Sequence, residues 1–372
     1  MKYFILFFFC KIAYSMDIGV SVHINDYLGS PSHYFQLTKS CGFNSYRDGM
    51  SWNRVEHNIN NFNIFPDSMK LDESISSYTS NKTFNMLYVL GYGHKNHTNN
   101  DYPQTKEQVD EFIKYVDWVS KRFKGKIKYY EVWNEWLLGT GLRKDRLRPS
   151  DDIFIYLVEK SYLTIKKNDP SALVLTGSIN PLKKNEYDWM INLLIDGRIL
   201  PYIDGISVHP YSFMLGKKES SAEYTFEQID DFQKKMTGVS GRVIPLYVTE
   251  FGFPTKGWRG WKTYYLEYQN IIKFLLLSKE SGYIHGVWIY DLLDDGTNPS
   301  VRDEHFGLYN IDSTPKDNTT VVCKYIRAIR ENKIKIHKNN TNEYDLFDND
   351  ELLFSWKKGY IYSAKLWGQS LK

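Results

Sequence analysis

Short runs of β-branched and aromatic residues alternate with longer amphipathic stretches, and this pairing recurs eight times along the chain. The strand-like runs fall at residues 17–23, 44–48, 85–90, 127–135, 172–177, 204–209, 245–250 and 285–290. Helix-like segments lie between them, the clearest at 108–123, where Val109, Phe112, Ile113, Val116, Val119 and Phe123 repeat at helical spacing on one face. Others are expected near 33–39, 67–80, 186–194, 226–236, 263–279 and 317–331, with one more opening at Ser150 and closing at Asp169-Pro170. Strands that read as near-continuous apolar runs are buried on both faces, and regular alternation with helices means parallel strands joined by crossovers. Eight such units close most simply into an α/β fold of the (β/α)8 TIM barrel type.

After Glu331 the period changes. Residues 344–347, 352–356 and 360–362 read as a β-meander with a Lys357-Lys358-Gly359 turn. About forty residues cannot bury a core of their own, so this short C-terminal β-rich appendage should pack on the barrel. The expected organisation is therefore a signal peptide over 1–15, a catalytic barrel over 16–331 and the meander over 332–372. The signal reading rests on Lys2, the apolar run from Tyr3 to Cys10, and small residues at Ala13 and Ser15 in cleavage spacing. It implies secretion or a periplasmic location, whereas a true start at Met16 would leave the protein cytoplasmic.

Composition narrows the function. Hydrophobic residues make up 42% and charged residues 24%, enough for a core, and only the first fifteen residues look membrane-like, so the mature chain should carry no integral membrane span. A net charge of +3 from 47 basic and 44 acidic residues is too small and too mixed for a nucleic-acid binder. Aromatic residues reach 16%, which suits either a bulky core or rings that stack on sugars. Once Cys10 leaves with the signal, Cys41 and Cys323 remain; without a CxxC or Cys/His pattern they read as two separate buried thiols rather than a disulfide.

In such a barrel the active site lies at the C-terminal ends of the strands. The fourth strand ends Trp133-Asn134-Glu135-Trp136 and the seventh ends Thr249-Glu250-Phe251-Gly252, on opposite sides of the mouth. Two carboxyl groups facing each other over one site are the apparatus of glycoside cleavage. Glu135 is expected to be the acid/base, its pKa raised by the charge of Glu250, and Glu250 the nucleophile. Arg47 at the end of the second strand is placed to keep Glu250 ionised, Asn134 to bond a sugar 2-hydroxyl, and His209 or Tyr211 to donate to Glu250. Trp288 is expected to floor the sugar subsite, Trp136, Trp258 and Trp261 to offer platforms, and His23, Tyr92 and His94 to contact hydroxyls. Lys217, Lys218, Lys256, Arg259 and Lys262 put positive charge on top-face loops, either as solvated charge or for an anionic polysaccharide. His94 and His97 have metal-like spacing but no carboxylate pair beside them, so no metal or other cofactor is expected.

With these residues the chain resembles the clan A retaining glycoside hydrolases, and within them the family 39-like branch of β-xylosidases and bacterial exopolysaccharide hydrolases. The resemblance runs from about Asp17 to Ile329. Besides the two glutamate motifs it rests on Tyr46-Arg47-Asp48 with Trp52 and Glu56, and on Ser207-Val208-His209-Pro210-Tyr211. Trp288-Ile289-Tyr290-Asp291-Leu292 and Phe306-Gly307-Leu308 with Asp312 and Pro315-Lys316 complete it. The resemblance implies a hydrolase of β-linked poly- or oligosaccharide acting by double displacement. A transglycosylase or polysaccharide-processing factor would use the same residues, and a catalytically idle carbohydrate-binding barrel would be expected to lack one glutamate. Sugar, linkage, endo or exo mode and oligomeric state are not legible in the sequence.

Overall fold

The computed structural model describes residues 16–79, 84–216, 218–256, 264–339 and 343–358, and for 264–267 the backbone only. The expected signal peptide at 1–15, Lys217, Trp258, Arg259, Trp261, Lys262 and the strand-like 360–362 lie outside the described residues. Among the described residues eight parallel strands are present: β1 Asp17–Ser21, β2 Ser45–Asp48, β3 Asn85–Leu90, β4 Tyr129–Val132, β5 Leu173–Leu175, β6 Ile206–Val208, β7 Leu246–Phe251 and β8 Ile284–Ile289. They pair in the order β5-β4-β3-β2-β1-β8-β7-β6, and parallel bridges Leu175 to Gly205 and Ile179 to Val208 join the two ends into a barrel.

The crossovers carry α1 Pro31–Cys41, α2 Met69–Ser74, α3 Lys106–Arg122, α4 Asp151–Asn168, α5 Lys184–Asp196, α6 Ala222–Ser240, α7 Tyr264–Ser281 and α8 Thr319–Arg330. Local chemistry sets their ends. Ser30 accepts from Ser32 N ahead of Pro31, and Thr105 and Ser221 cap α3 and α6 by accepting from Gln108 N and Tyr224 N. Asp151 and Asp152 open α4 and Lys166 and Lys167 close it, each charge complementing the helix dipole.

Strand alternation divides the core in two. Side chains such as Val20, Tyr88, Tyr130, Val208 and Val248 face the helices, while Leu87, Val89, Tyr129, Leu175, Tyr247 and Trp288 fill the barrel interior. Trp288 fits because β1 carries glycine opposite it: a Cβ on Gly19 would lie 2.2 Å from its indole.

The tail forms an antiparallel sheet of β9 Ile334–Lys338, β10 Glu343–Asp348 and β11 Glu351–Lys357. The first of these precedes the strand-like runs read from the sequence. Trp356 anchors the sheet to the barrel helices, stacking on Tyr344 and donating from Nε1 to Glu223 Oε1 at 2.8 Å.

The two cysteines are not separate thiols. Cys41 at the end of α1 and Cys323 in α8 form a disulfide, with Cα atoms 4.3 Å apart across 282 residues of sequence. No local pattern announces this pair; barrel closure makes the first and last helices neighbours.

Candidate active site

Alternation brings Ser45 and Arg47 of β2 to the barrel interior, with Arg47 at the mouth. Its buried guanidinium donates from Nε to Glu131 Oε2 at 2.8 Å, from Nη1 to Glu250 Oε1 at 2.7 Å and from Nη2 to Asn134 Oδ1 at 2.7 Å. One planar cation thus ties the ends of β2, β4 and β7 together, a task that needs the fixed fork of an arginine.

Two breaks in strand geometry aim the acidic residues. After β4, Trp133 and Glu135 take left-handed backbone angles, φ 69° and 50°. Trp133 turns outward to pack on Tyr102 and Phe112, so Asn134 points inward to Arg47. Gly177 permits this turn, since a Cβ there would lie 2.7 Å from the Val132 carbonyl oxygen. In β7 the register slips between Val287 to Val248 and Ile289 to Phe251, so that three steps of β7 face two of β8. This β-bulge sends both Thr249 and Glu250 inward while Val248 and Phe251 stay in the outer core.

The two glutamates meet around His209, which follows β6. Carboxylate oxygens of Glu135 and Glu250 and a ring nitrogen of His209 lie within 4.8 Å of one another. His209 Nδ1 is 3.1 Å from Glu135 Oε1 and 3.5 Å from Glu250 Oε2, and Tyr211 donates its hydroxyl to Glu250 Oε2 at 2.6 Å. Thr140 donates to the other oxygen of Glu135, and Ser178 Oγ accepts from the Glu135 backbone N–H at 3.0 Å. Behind them, Thr249 donates to Glu131 Oε1 at 2.7 Å, so its oxygen accepts from His209 Nε2 at 3.0 Å.

This surrounding reverses the electrostatics expected for Glu135. Burial pushes its carboxyl up, but the hydrogen bond and charge of His209, the Thr140 hydroxyl and Arg47 outweigh it and hold the group down at about 2. His209 moves the opposite way: burial pulls its imidazole down, and the charges of Glu250 and Glu135 with the Glu135 hydrogen bond raise it above its ordinary 6.5.

Over residues 13–290 the sequence matches the family model described as Cellulase (glycosyl hydrolase family 5). The chain belongs to glycosyl hydrolase family 5. It is an enzyme that hydrolyses O-glycosyl bonds, and its substrate is a carbohydrate. Comparison with curated proteins gave no match. Among solved structures it is similar to a family 39 glycoside hydrolase from the gut symbiont Bacteroides cellulosilyticus WH2, at 19% identity and TM-score 0.71, covering 93% of this chain and 71% of that one. It is also similar to native xylanase 10B from Thermotoga maritima, at 14% identity and TM-score 0.62, covering 86% and 97%. A third is the exo-β-1,4-mannosidase Op5Man5 from Opitutaceae bacterium strain TAV5, at 13% identity and TM-score 0.61, covering 85% and 60%. At these identities the likeness is one of fold, and it agrees with the clan-level resemblance read from the strand ends.

In this family 5 barrel the residues singled out by sequence divide cleanly. Arg47, Asn134, Glu135, His209, Tyr211 and Glu250 converge on one point. Trp288, Trp136 and His94 do not. Trp288 is fully buried inside the barrel, donating from Nε1 to Ser45 Oγ at 3.0 Å, one layer below the mouth. Two residues further on, the half-buried Tyr290 reaches the rim, close to His23 and Phe306. Trp136 is also fully buried, packed on Tyr102, Trp133 and Phe154, because the turn at Glu135 sends it back under the loop. His94 is buried against the Glu56 carbonyl at 2.7 Å beside Trp52 and His97, where it anchors a loop.

Tyr92 is half-buried at the rim of a cavity of about 270 Å³ that Arg47, His23 and Asp48 also line. The sequence reading gives no role to Glu131, Thr249, Thr140 or Tyr290. For Glu131 a signal existed: it shares its face of β4 with Tyr129, an interior residue. The others depend on the bulge in β7, a loop and a register that strand propensity does not carry. Among the described residues no helix is long and apolar enough to cross a membrane.

Proposed function

We propose that this family 5 enzyme cleaves β-linked poly- or oligosaccharide with retention, using Glu250 as nucleophile and Glu135 as acid/base. The observation that carries the reading is the approach of their carboxylate oxygens, within 4.8 Å. Retaining pairs sit roughly 5–5.5 Å apart, whereas inverting pairs need roughly 6.5–9.5 Å to admit a water. In the first step a Glu250 oxygen bonds to the anomeric carbon, the glycosidic C–O bond breaks, and the leaving oxygen takes a proton from Glu135. In the second, Glu135 as carboxylate takes a proton from water, whose oxygen bonds to the anomeric carbon and releases Glu250. The Asn134 amide donates to the sugar 2-hydroxyl, a contact that strengthens as positive charge develops.

The proton for the first step is held jointly. Because Thr249 already donates to Glu131, His209 Nε2 must be the donor to Thr249. Nδ1 and Glu135 Oε1, 3.1 Å apart, then share one proton, carried either on the imidazolium or on the carboxyl. In the free enzyme it rests on His209; as the leaving oxygen develops charge it passes to Glu135 and onward. Arg47 and Tyr211 meanwhile fix both Glu250 oxygens.

The disulfide between Cys41 and Cys323 supports the proposal that the enzyme works outside the reducing cytosol, as the leader-like residues 1–15 also suggest. The decisive experiment follows aryl β-xylosides, β-glucosides and β-mannosides and bacterial exopolysaccharides by proton NMR. Retention predicts that the β-anomer of the product appears first, and initial release of the α-anomer overturns the double displacement.

A further inference from the structure

On the β1 and β8 side of the mouth sits a second polar cluster that the cleavage steps do not use. His23, just past β1, has Nδ1 2.8 Å from Asp295 Oδ1. Asp291, just past β8, is fully buried, and neither of its carboxylate oxygens has a hydrogen-bond partner among the described residues. One donor atom from each of His23, Asp291 and Asp295 lies within 4.8 Å of the other two. The buried hydroxyl of Ser21, at the end of β1, likewise lacks a partner among the described residues.

The neighbouring acid shows what is unusual. Asp294 is also buried, but Lys316 Nζ lies 2.6 Å from its Oδ1 and Gly307 N donates to the same oxygen at 3.0 Å. Asp291 accepts no hydrogen bond from a cation, the His23 imidazole and Lys316 act on it only through space, and a second carboxylate, Asp295, stands beside it. An unpaired buried carboxylate next to a like charge is costly unless a cation or a proton joins it.

We propose that His23, Asp291 and Asp295 form a binding site for a divalent first-row ion of the Mn²⁺ or Zn²⁺ class, which joins the ends of β1 and β8 at the rim of the cleft. One imidazole nitrogen with two carboxylates suits these ions better than Mg²⁺ or Ca²⁺, which favour all-oxygen shells. On binding, His23 Nδ1 exchanges its hydrogen bond to Asp295 for a bond to the ion, and any proton it carries leaves to solvent. The ion takes no part in bond cleavage. It fixes the segment that carries Tyr290, whose hydroxyl is 3.5 Å from Asp295 Oδ2, so its effect on the enzyme is to hold one wall of the cleft.

The test uses the full chain, stripped with chelator and dialysed, then titrated with Mn²⁺ while free ion is followed by electron paramagnetic resonance. One ion per chain is expected, with Asp295→Asn weakening binding at least about tenfold and His23→Gln abolishing the ¹⁴N coupling in the pulsed spectrum of the bound ion. Asp295 and His23 are partly exposed, so circular dichroism can confirm that both variants fold. Glu250→Gln should bind Mn²⁺ as the parent does; loss there with Asp295→Asn unaffected would put the ion at the cleavage glutamates and overturn the proposal. No binding of Mn²⁺ or Zn²⁺ at millimolar concentration would also overturn it. Asp291 would then be neutralised by a proton, the state burial favours in the free cluster by pushing its carboxyl well above the ordinary range.

Discussion

Arg47 and Glu250, 203 residues apart in sequence, meet through Nη1 and Oε1 at 2.7 Å, with the same guanidinium also bound to Glu131 and Asn134. Removing it strands two buried acids. Arg47→Met should destabilise the fold by about 3–5 kcal/mol, the usual cost of breaking a buried pair, and should abolish turnover. Adding Glu131→Gln should recover part of the stability in denaturant titrations without restoring activity. Recovery of both would mean that Arg47 serves the fold alone.

Glu250→Gln should eliminate measurable turnover on every substrate. Glu135→Ala should slow substrates with poor leaving groups by ~10²–10⁴ yet leave those with good leaving groups far less affected, because such groups need no proton. Azide should rescue the Glu135 variant and yield a β-glycosyl azide. Equal and unrescued losses in both variants would void the assignment.

The shared proton sets the alkaline edge of the pH profile. His209 is raised above 6.5 by its acidic neighbours, so the Glu135–His209 pair keeps its proton below the raised value and loses it as pH rises through it. Activity should fall there. In His209→Gln the influences holding Glu135 near 2 are largely gone and burial remains, so its pKa rises and the proton resides on the carboxyl itself. The alkaline edge of kcat/KM should then move down toward the range of a buried carboxyl. An unmoved edge would show that another group titrates.

The barrel interior and the rim can be separated by two substitutions. Trp288→Ala should cost about 3–5 kcal/mol as a large core truncation, whereas Tyr290→Ala at the half-buried rim should cost far less stability and raise KM. Trp288→Phe, which keeps most of the volume, should leave KM near that of the parent. A large KM increase in Trp288→Phe with unchanged stability would return that residue to the sugar subsite.

The Cys41–Cys323 bridge closes a loop of 282 residues, for which chain entropy alone gives about 6 kcal/mol. Reduction or Cys323→Ser should lower the melting temperature in calorimetry, while kcat of the folded enzyme at low temperature stays near that of the parent, because the bridge joins outer helices. Unchanged melting after complete reduction, with free thiols verified by titration, would show that the bridge adds no stability.

What the sequence determined by itself was everything that depends on local periodicity and residue type. Eight alternations fix the barrel because parallel strands need crossovers, and barrel geometry puts the polar ends of β2, β4, β6 and β7 at one mouth. Together with the family resemblance, that selected Arg47, Asn134, Glu135, His209, Tyr211 and Glu250, but also Trp288, Trp136 and His94, which lie elsewhere. Tertiary structure decided which faces those chains turn to, and a shift of one or two residues there changes a role. The left-handed turn at Trp133 sends Asn134 inward, the one at Glu135 hides Trp136, and the bulge in β7 turns Glu250 into the cleft beside Thr249. Gly19 admits Trp288 to the barrel core and leaves the rim to Tyr290. Charge states were equally out of reach. Whether Glu135 is raised by Glu250 or lowered by His209 depends on ångström separations between residues 74 apart in sequence, and the pairing of Cys41 with Cys323 depends on closure of the whole ring. Local propensity propagates along the chain, whereas Coulomb energy and packing act through space, so only the closed barrel brings those distances into being.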